Sequence, residues 1–200
     1  MIAHARKSDT LERENGKRRL AVFVVFDKPA RKPSAVVAAP KWREATVLDK
    51  PWTVSFQPGR GAPALAKFDR LTPLNENADA GIKYFSGIAT YATVFQASLR
   101  PGQKAMLDLG RLGDVAEVTV NRVPVGASWH APYTVDVSKA LRSDRNKLQI
   151  RVANLWVNRL IGDAQPGANK ITFTTVPTYK ASAPLRPSGL IGPVKLLVSP

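Results

Sequence analysis

The sequence contains no cysteine and only two histidines, His4 and His130. The absence of cysteine excludes a disulfide framework and any thiolate metal site, although it says little about the compartment. The two histidines are too far apart in the sequence, and too isolated, to predict a metal site or a catalytic triad. We therefore expect no cofactor and no resident metal, and only a structural calcium ion between strands stays open.

Long hydrophobic runs are also missing. The longest apolar run, residues 20–26 with the sequence LAVFVVF, has the length of a strand and is too short for a membrane-spanning helix. Residues 1–19 mix basic and acidic side chains and contain no apolar core of the kind that a signal peptide has. We expect no membrane partner, and these features leave the localisation open.

Acidic residues are scarce, with 15 Asp and Glu against 30 Lys and Arg and a net charge of +15. The region 1–32 holds nine of the basic and four of the acidic residues, so the rest of the chain carries a dispersed net charge of +10. The sequence shows neither a basic helix nor basic residues interleaved with aromatics on a strand. We expect no specific nucleic-acid partner, and loose, salt-sensitive binding of polyanions is the charge-driven alternative.

What is present is a series of short strand-like segments separated by turn residues, which predicts an all-β sandwich. Apolar and polar residues alternate in several segments, so that each of these strands has one wet face. The predicted strands lie at residues 52–56, 89–95, 105–109, 116–120, 133–137 and 148–152. Asn121-Arg122 is a plausible hairpin turn, and residues 143–146 supply a second turn.

Proline and glycine mark two predicted linkers, residues 28–40 and 57–66. The first separates an N-terminal extension, residues 1–40, from a sandwich domain, residues 41–200. The strong strand at residues 20–26 has no neighbour in sequence. It either joins the sandwich or is the last strand of an upstream domain, which would leave its edge unprotected.

The segment NLWVNRLIGD, residues 154–163, collects side chains that suit sugar hydroxyls: two amides, a guanidinium, a carboxylate and an aromatic face. The competing interpretation is a core strand in which Leu155, Val157 and Leu160 alternate and the polar residues close a turn. In that case Asn154 satisfies a strand end, Trp156 belongs to the core, and Arg159 and Asp163 pair as a structural ion bridge.

Five ordered blocks carry a resemblance to a known family. They are YFSGIATY (residues 84–91), LDLGRLGDVAEVTVN (107–121), WHAPYTVDV (129–137), NLWVNRLIGD (154–163) and SGLIGPVKL (188–196). Together they resemble the C-terminal β-sandwich of α-L-rhamnosidase-type glycoside hydrolases, family 106, and more distantly the sugar-binding jelly roll of family 2. The resemblance covers about residues 52–198 and implies an all-β, galactose-binding-like jelly roll with an N-terminal extension.

The chain departs from that pattern in two turns and at one strand end. Arg122 stands where relatives often have Gly, Ser143-Asp144 replaces Pro-Gly, and residues 174–176 lack an aromatic. The resemblance also implies that the catalytic carboxylates lie on a separate upstream β/α barrel. This sequence contains no pattern that predicts such a barrel. The chain then resembles the tail of a larger hydrolase, and such a hydrolase would be periplasmic or secreted.

Catalysis by this chain alone would need two carboxyl groups on opposite sides of the scissile bond. The candidates are Glu76 with Asp79, Asp114 with Glu117, and Asp163 alone, and each is also explained as a solvated loop or turn. Ser86 and Ser188 lack a nucleophile-elbow context. We therefore assign no catalytic residue.

The sequence predicts a carbohydrate-binding or accessory module of a rhamnosidase-type hydrolase that is not catalytic by itself. Its expected partners are a carbohydrate, with rhamnose as the sugar that the resemblance implies, and a catalytic barrel domain or subunit. The predicted sugar-binding residues are Trp129, Trp156, Asn158, Arg159 and Asp163. The alternatives are a stand-alone lectin, a small hydrolase that uses its own carboxylates, and a chain that only packs on a partner through NLWVNRLIGD.

Overall fold

The computed structural model describes residues 41–200 throughout and, before them, the backbone of four strands. These four strands are β1 (Ile2–Arg6), β2 (Glu12–Glu14), β3 (Lys17–Arg19) and β4 (Phe23–Lys28). The later strands are β5 (Arg43–Val47), β6 (Trp52–Phe56), β7 (Leu65–Phe68), β8 (Ile88–Gln96), β9 (Ala105–Asp108), β10 (Arg111–Leu112), β11 (Val115–Val120), β12 (Val123–Ser128), β13 (Thr134–Asp136), β14 (Arg145–Ala153), β15 (Leu190–Gly192) and β16 (Lys195–Val198).

Two antiparallel sheets build the domain. One has six strands in the order β12-β11-β14-β8-β6-β7, and the other has four in the order β13-β9-β16-β5. A short ladder, β10 with β15, lies beside them. The predicted all-β sandwich is thereby confirmed.

The core lies between the inner faces of the two sheets, because alternate residues along each strand point to the same side. In β14 the burial alternates without exception, and Leu148, Ile150 and Val152 are buried while the residues between them are exposed. Strand β8 follows the same pattern and places Tyr91 and Phe95 inside. Leu107 and Leu196 face them from the four-stranded sheet. The wet face predicted for residues 148–152 is therefore confirmed.

The hairpin turn at Asn121-Arg122 is confirmed. Both residues have positive φ, 52° and 69°, which is the backbone of a type I′ turn. The turn joins β11 to β12, a strand that the sequence did not predict. Pro124 concealed it, since proline cannot donate to a ladder and is found mainly on edge strands, and β12 is such an edge.

The second predicted linker, residues 57–66, is wrong as a domain boundary. Strands β6 and β7 pair antiparallel on either side of it, so Pro58, Gly59, Gly61 and Pro63 shape a hairpin loop. The first predicted linker, residues 28–40, lies mostly outside the described residues. Strand β4 overlaps the predicted strand at 20–26 and pairs with β1, and among the described residues neither is hydrogen-bonded to the sandwich.

Within residues 41–200, helical structure is limited to a 3₁₀ turn at Leu74–Glu76 and two short helices, α1 (Ala80–Lys83) and α2 (Val157–Asp163). Asp79 caps α1, since its Oδ1 accepts hydrogen bonds from the backbone N–H of Gly81 at 2.7 Å and of Ile82 at 3.3 Å. In the part of the chain that the structure describes, no helix has the length and apolar character needed to cross a membrane.

Candidate functional site

The connections that leave one end of the six-stranded sheet gather in one place, which we call the loop end. The register shows it: Val115 pairs with Ala153, Ala153 with Ile88, and Ala116 with Ser128. The loops that follow or precede these paired residues must therefore leave the sheet at the same end. The loop end comprises residues 57–64, 84–87, 113–114, 129–133 and 154–189. Trp129 and Trp156 both belong to it, and two strand spacings, roughly 10 Å, separate β12 and β14, the strands that precede them.

Helix α2 is formed by the segment that was predicted to be either a sugar site or a core strand. The strand prediction is wrong. Val157, Leu160 and Ile161 have the i, i+3, i+4 spacing of a helix, and six of the seven residues of α2 are buried. A helix of this length is not stable by itself, and its β-branched and aromatic neighbours favour a strand. Tertiary contacts of its polar side chains hold it in place.

Arg159 and Asp163 lie one helical turn apart, and Nη2 of Arg159 is 3.0 Å from Oδ1 of Asp163. The ion bridge that the sequence offered as an alternative therefore exists, with both side chains buried. Oδ2 of Asp163 accepts three more bonds, from the N–H groups of Ile171 (3.2 Å) and Thr172 (2.8 Å) and from the Thr172 hydroxyl (2.5 Å). This carboxylate fastens the irregular segment after α2 to the helix.

The electrostatics of Asp163 follow from these contacts. Burial opposes the charged form, but the bonds from Thr172 and Ile171 and the charge of Arg159 outweigh it and lower the pKa of Asp163 below its ordinary value of 3.8. Elsewhere in the core, burial raises the pKa of Tyr91, which keeps its phenol neutral. Asp163 is thus ionised in the folded protein, as the partner of Arg159 must be.

The guanidinium of Arg159 also faces Tyr84, with its Cζ 5.9 Å from the ring centroid. Gly162 makes this packing possible: a Cβ there would lie 2.6 Å from Cγ of Tyr84 and 2.6 Å from Nη2 of Arg159. Any side chain at Gly162 would push the ring and the guanidinium away. Tyr84 and Gly162 were not singled out from the sequence, because their role depends on contacts between distant segments.

Two asparagines of this region tie loops together. Nδ2 of Asn158 donates to the carbonyl of Arg186 at 2.7 Å and to the Ser188 hydroxyl at 3.3 Å, while its Oδ1 accepts from the N–H of Arg186 at 2.8 Å. Oδ1 of Asn154 accepts from the N–H of Gly189 at 2.6 Å. Both amides are buried, so they hold the segment before β15 against α2.

The two tryptophans are the exposed members of the predicted site. Trp156 is 47% exposed, and the guanidinium of Arg60 lies over its ring at 4.7 Å from the centroid. The alternative that places Trp156 in the core is therefore wrong. Trp129 is 70% exposed and makes an edge contact with the ring of His130, at 4.9 Å between centroids. Each therefore offers aromatic surface at the loop end.

The other candidate polar groups are mostly engaged in structural contacts. Asp79 caps α1, Oδ2 of Asp114 accepts from the N–H of Leu155 at 3.1 Å, and Glu117 pairs with Arg151 at 2.6 Å across two strands. Ser86 donates to the carbonyl of Leu155 at 2.7 Å. Within residues 41–200, no group of three or more His, Asp or Glu side chains has an arrangement that could hold a metal ion.

Comparison with known proteins agrees with this geometry. Residues 70–186, more than half of the chain, match the family model described as glycosyl hydrolase 2 galactose-binding domain-like. A rhamnosidase structure from Novosphingobium sp. PP1Y is 56% identical, with a TM-score of 0.85, over 89% of this chain and 17% of that one. A candidate β-glucuronidase from Formosa agariphila is 36% identical over 174 residues, which are 74% of this chain and 15% of the relative.

A β-glucuronidase structure from Ruminococcus gnavus is similar in fold, with a TM-score of 0.56 and 19% identity over 84% of this chain and 30% of that one. The chain thus spans less than a third of each of these proteins. The predicted likeness to family 2 holds at the level of the domain. The chain belongs to the glycosyl hydrolase 2 galactose-binding domain-like family.

Proposed function

We propose that this chain is the accessory β-sandwich of an α-L-rhamnosidase-type glycoside hydrolase, of the family 106 type, and that it contacts carbohydrate without cleaving it. One observation carries the proposal: a rhamnosidase structure is 56% identical over 89% of the chain, while the chain spans only 17% of that enzyme. Such a small share leaves room for a separate catalytic domain. Rhamnose specificity is part of the proposal.

The engagement of the carboxylates supports a non-catalytic role. A retaining or inverting glycosidase needs one carboxyl group that is held protonated and a second one across the bond. Asp163 is instead held ionised by Thr172 and Arg159, and Asp79 and Asp114 are occupied by backbone N–H groups. Asp163 therefore does not provide the protonated carboxyl group that a general acid needs, and the contacts of Asp79 and Asp114 are structural.

Within the predicted sugar site we propose two roles. Trp129 and Trp156, which are exposed, supply stacking surface for the C–H face of a pyranose. Asn158, Arg159 and Asp163 are buried and position α2, so that Trp156 is presented at the start of the helix. A rigid support for an exposed aromatic is what a carbohydrate site of modest affinity requires.

The catalytic domain is the proposed protein partner, and the loop end is its docking face. Leu155, Phe173 and Val176 are exposed apolar side chains of the connection between β14 and β15. The presence of three large exposed apolar side chains in one connection supports the proposal that an interface lies there. Sugar stacking and domain contact would then share the same end of the sandwich.

Activity assays test the non-catalytic assignment. The chain, residues 1–200, should not hydrolyse an aryl α-L-rhamnoside above the level of buffer. Turnover that is lost in Glu76→Gln, or in Asp163→Asn that circular dichroism shows to be folded, would refute the assignment and favour a small hydrolase that uses its own carboxylates. Glu117→Gln is the matched control, because it removes an exposed carboxylate that already pairs with Arg151.

Calorimetry against rhamnose-containing glycans tests the sugar site. Trp156→Ala should abolish the heat of binding, whereas Val123→Ala, which truncates an apolar side chain of similar exposure at the opposite end of the sheet, should not. Full, high-affinity binding by this chain alone would favour the stand-alone lectin. If no rhamnose-containing glycan binds, the proposed contact with carbohydrate is overturned, and the loop end keeps only its proposed role as a docking face.

A further inference from the structure

A groove with a volume of about 550 Å³ lies far from the loop end, on the outer face of the six-stranded sheet. We call it the outer groove. Its position follows from the register: Lys147 pairs with Val94 near the Asn121-Arg122 turn, at the opposite end of β14 from Asn154. The volume is within the range of small-ligand sites, roughly 300–1,000 Å³. This outer groove is separate from the residues proposed above for sugar stacking.

The floor of the outer groove is one row of side chains across four strands. Thr119 pairs with Gln149, Gln149 with Ala92, and Ala92 with Thr53, so these residues face the same side of the sheet. Neighbouring members of such a row are about 4.5–5.5 Å apart. The row offers two hydroxyls and an amide, and the methyl group of Ala92 lies between them. That spacing suits the hydroxyl groups and the C–H face of a pyranose.

Cationic side chains surround the floor. Lys50, Arg122 and Lys147 line the groove and are exposed, and none of its described lining residues is acidic. Within residues 41–200, none of these three groups forms an ion pair with a carboxylate. A neighbouring groove of about 670 Å³ shares Lys50, Thr93 and Val94 with the first and adds Arg145 and a single acid, Asp49. Because Arg145 and Asp49 offset each other, the excess of positive charge is centred on the outer groove.

We infer that the outer groove binds an acidic oligosaccharide, whose carboxylates or sulfates meet Lys50, Arg122 and Lys147 while its ring lies on the Thr119–Gln149–Ala92–Thr53 row. Charge complementarity favours an anion, and the hydroxyl, amide and methyl groups of the row favour a sugar ring. A single-stranded nucleic acid is the other polyanion that fits the charge. It is disfavoured because, in the part of the chain that the structure describes, the outer groove has no aromatic lining residue on which a base would stack.

Calorimetry on the full chain, residues 1–200, tests this inference at 50 and 150 mM NaCl. The probes are oligogalacturonate and chondroitin sulfate oligosaccharides, with neutral dextran oligomers and oligo-dT of similar length for comparison. The two acidic saccharides should bind and the neutral one should not. Lys50→Gln/Arg122→Gln/Lys147→Gln should weaken binding by about tenfold or more, since three screened contacts of modest strength are lost.

Two further variants keep the test decisive. Arg100→Gln/Lys104→Gln/Lys139→Gln removes the same charge from exposed sites outside both the groove and the loop end and should change the affinity by about twofold or less. Ala92→Gln fills the floor without changing the charge and should also weaken binding. Equal losses of affinity in the two triple variants would mean that only the net charge of the protein matters, which would contradict a specific site. Unchanged affinity in Ala92→Gln would mean that the saccharide does not contact the floor. Tighter binding of oligo-dT than of the saccharides, or no binding of either acidic saccharide, would overturn the inference.

Discussion

The guanidinium of Arg159 lies 3.0 Å from the carboxylate of Asp163, one turn further along a helix in which both side chains are buried. A buried ion pair is a poor source of net stability, because both charges lose their water. Its removal on one side only is costly, since the other charge then stays buried without a partner. Here Asp163 also binds the N–H of Thr172, so the pair connects α2 to the segment that follows it and stabilises the loop end.

Asp163→Asn should therefore destabilise the fold by about 3 kcal/mol, because it leaves Arg159 buried and unpaired. Urea unfolding followed by circular dichroism measures the change. Glu117→Gln is the matched control: it breaks an ion pair of 2.6 Å that is exposed to solvent, which costs about 1 kcal/mol or less. Similar losses in the two variants would mean that Asp163 is not a buried charge.

The same carboxylate makes stability depend on pH. The folded pKa of Asp163 is below its ordinary value of 3.8, so the unfolded state binds a proton first as the pH falls. The contribution is complete above the unfolded pKa and is lost as the pH falls from about 5 through the folded pKa. The unfolding free energy of the wild type should decline over that interval more steeply than that of Asp163→Asn. Parallel curves would contradict the assignment.

The sequence predicted the sandwich because alternation in β11 and β14 is a local signal, and residues such as Val118 and Ile150 show it without help from tertiary structure. It could not predict the loop end. Helix α2 depends on bonds from Asn158 to Arg186 and from Asp163 to Thr172, which link segments whose proximity no periodicity reveals. The predicted sugar residues were chosen by chemical type alone, and type does not separate exposed Trp156 from buried Asn158.

Glycine at position 189 supports the contact between the last loop and the core. Its φ is +82°, and a Cβ there would meet Cγ of Leu74 at 2.6 Å and the hydroxyl of Tyr91. Gly102 has nearly the same φ, +80°, with nothing within 4 Å. Gly102→Ala should cost about 1 kcal/mol from backbone strain, and Gly189→Ala about 1–3 kcal/mol more from overpacking. Thermal unfolding measures the loss of stability in each variant. Equal losses would show that the loop at residue 189 shifts to accommodate the added methyl group.

The hairpin turn at Asn121-Arg122 allows a stabilising change. Arg122 adopts a φ of 69°, which strains a residue with a side chain and which glycine adopts freely. Arg122→Gly should raise the unfolding free energy by up to about 1 kcal/mol. Asn121→Ala should lower it, because Nδ2 of Asn121 donates to Asn146 at 2.7 Å and to the carbonyl of Ala140 at 2.8 Å. Urea unfolding of both variants checks the signs.

Arg122 also lines the outer groove, so the same substitution should separate stability from binding. Arg122→Gly should be at least as stable as the wild type and yet bind oligogalacturonate more weakly, by a few-fold, since one of three cationic contacts is gone. A loss of affinity in a stabilised protein cannot be attributed to unfolding. Calorimetry with the folded variant measures it, and undiminished affinity would exclude Arg122 from the anion contacts of the groove.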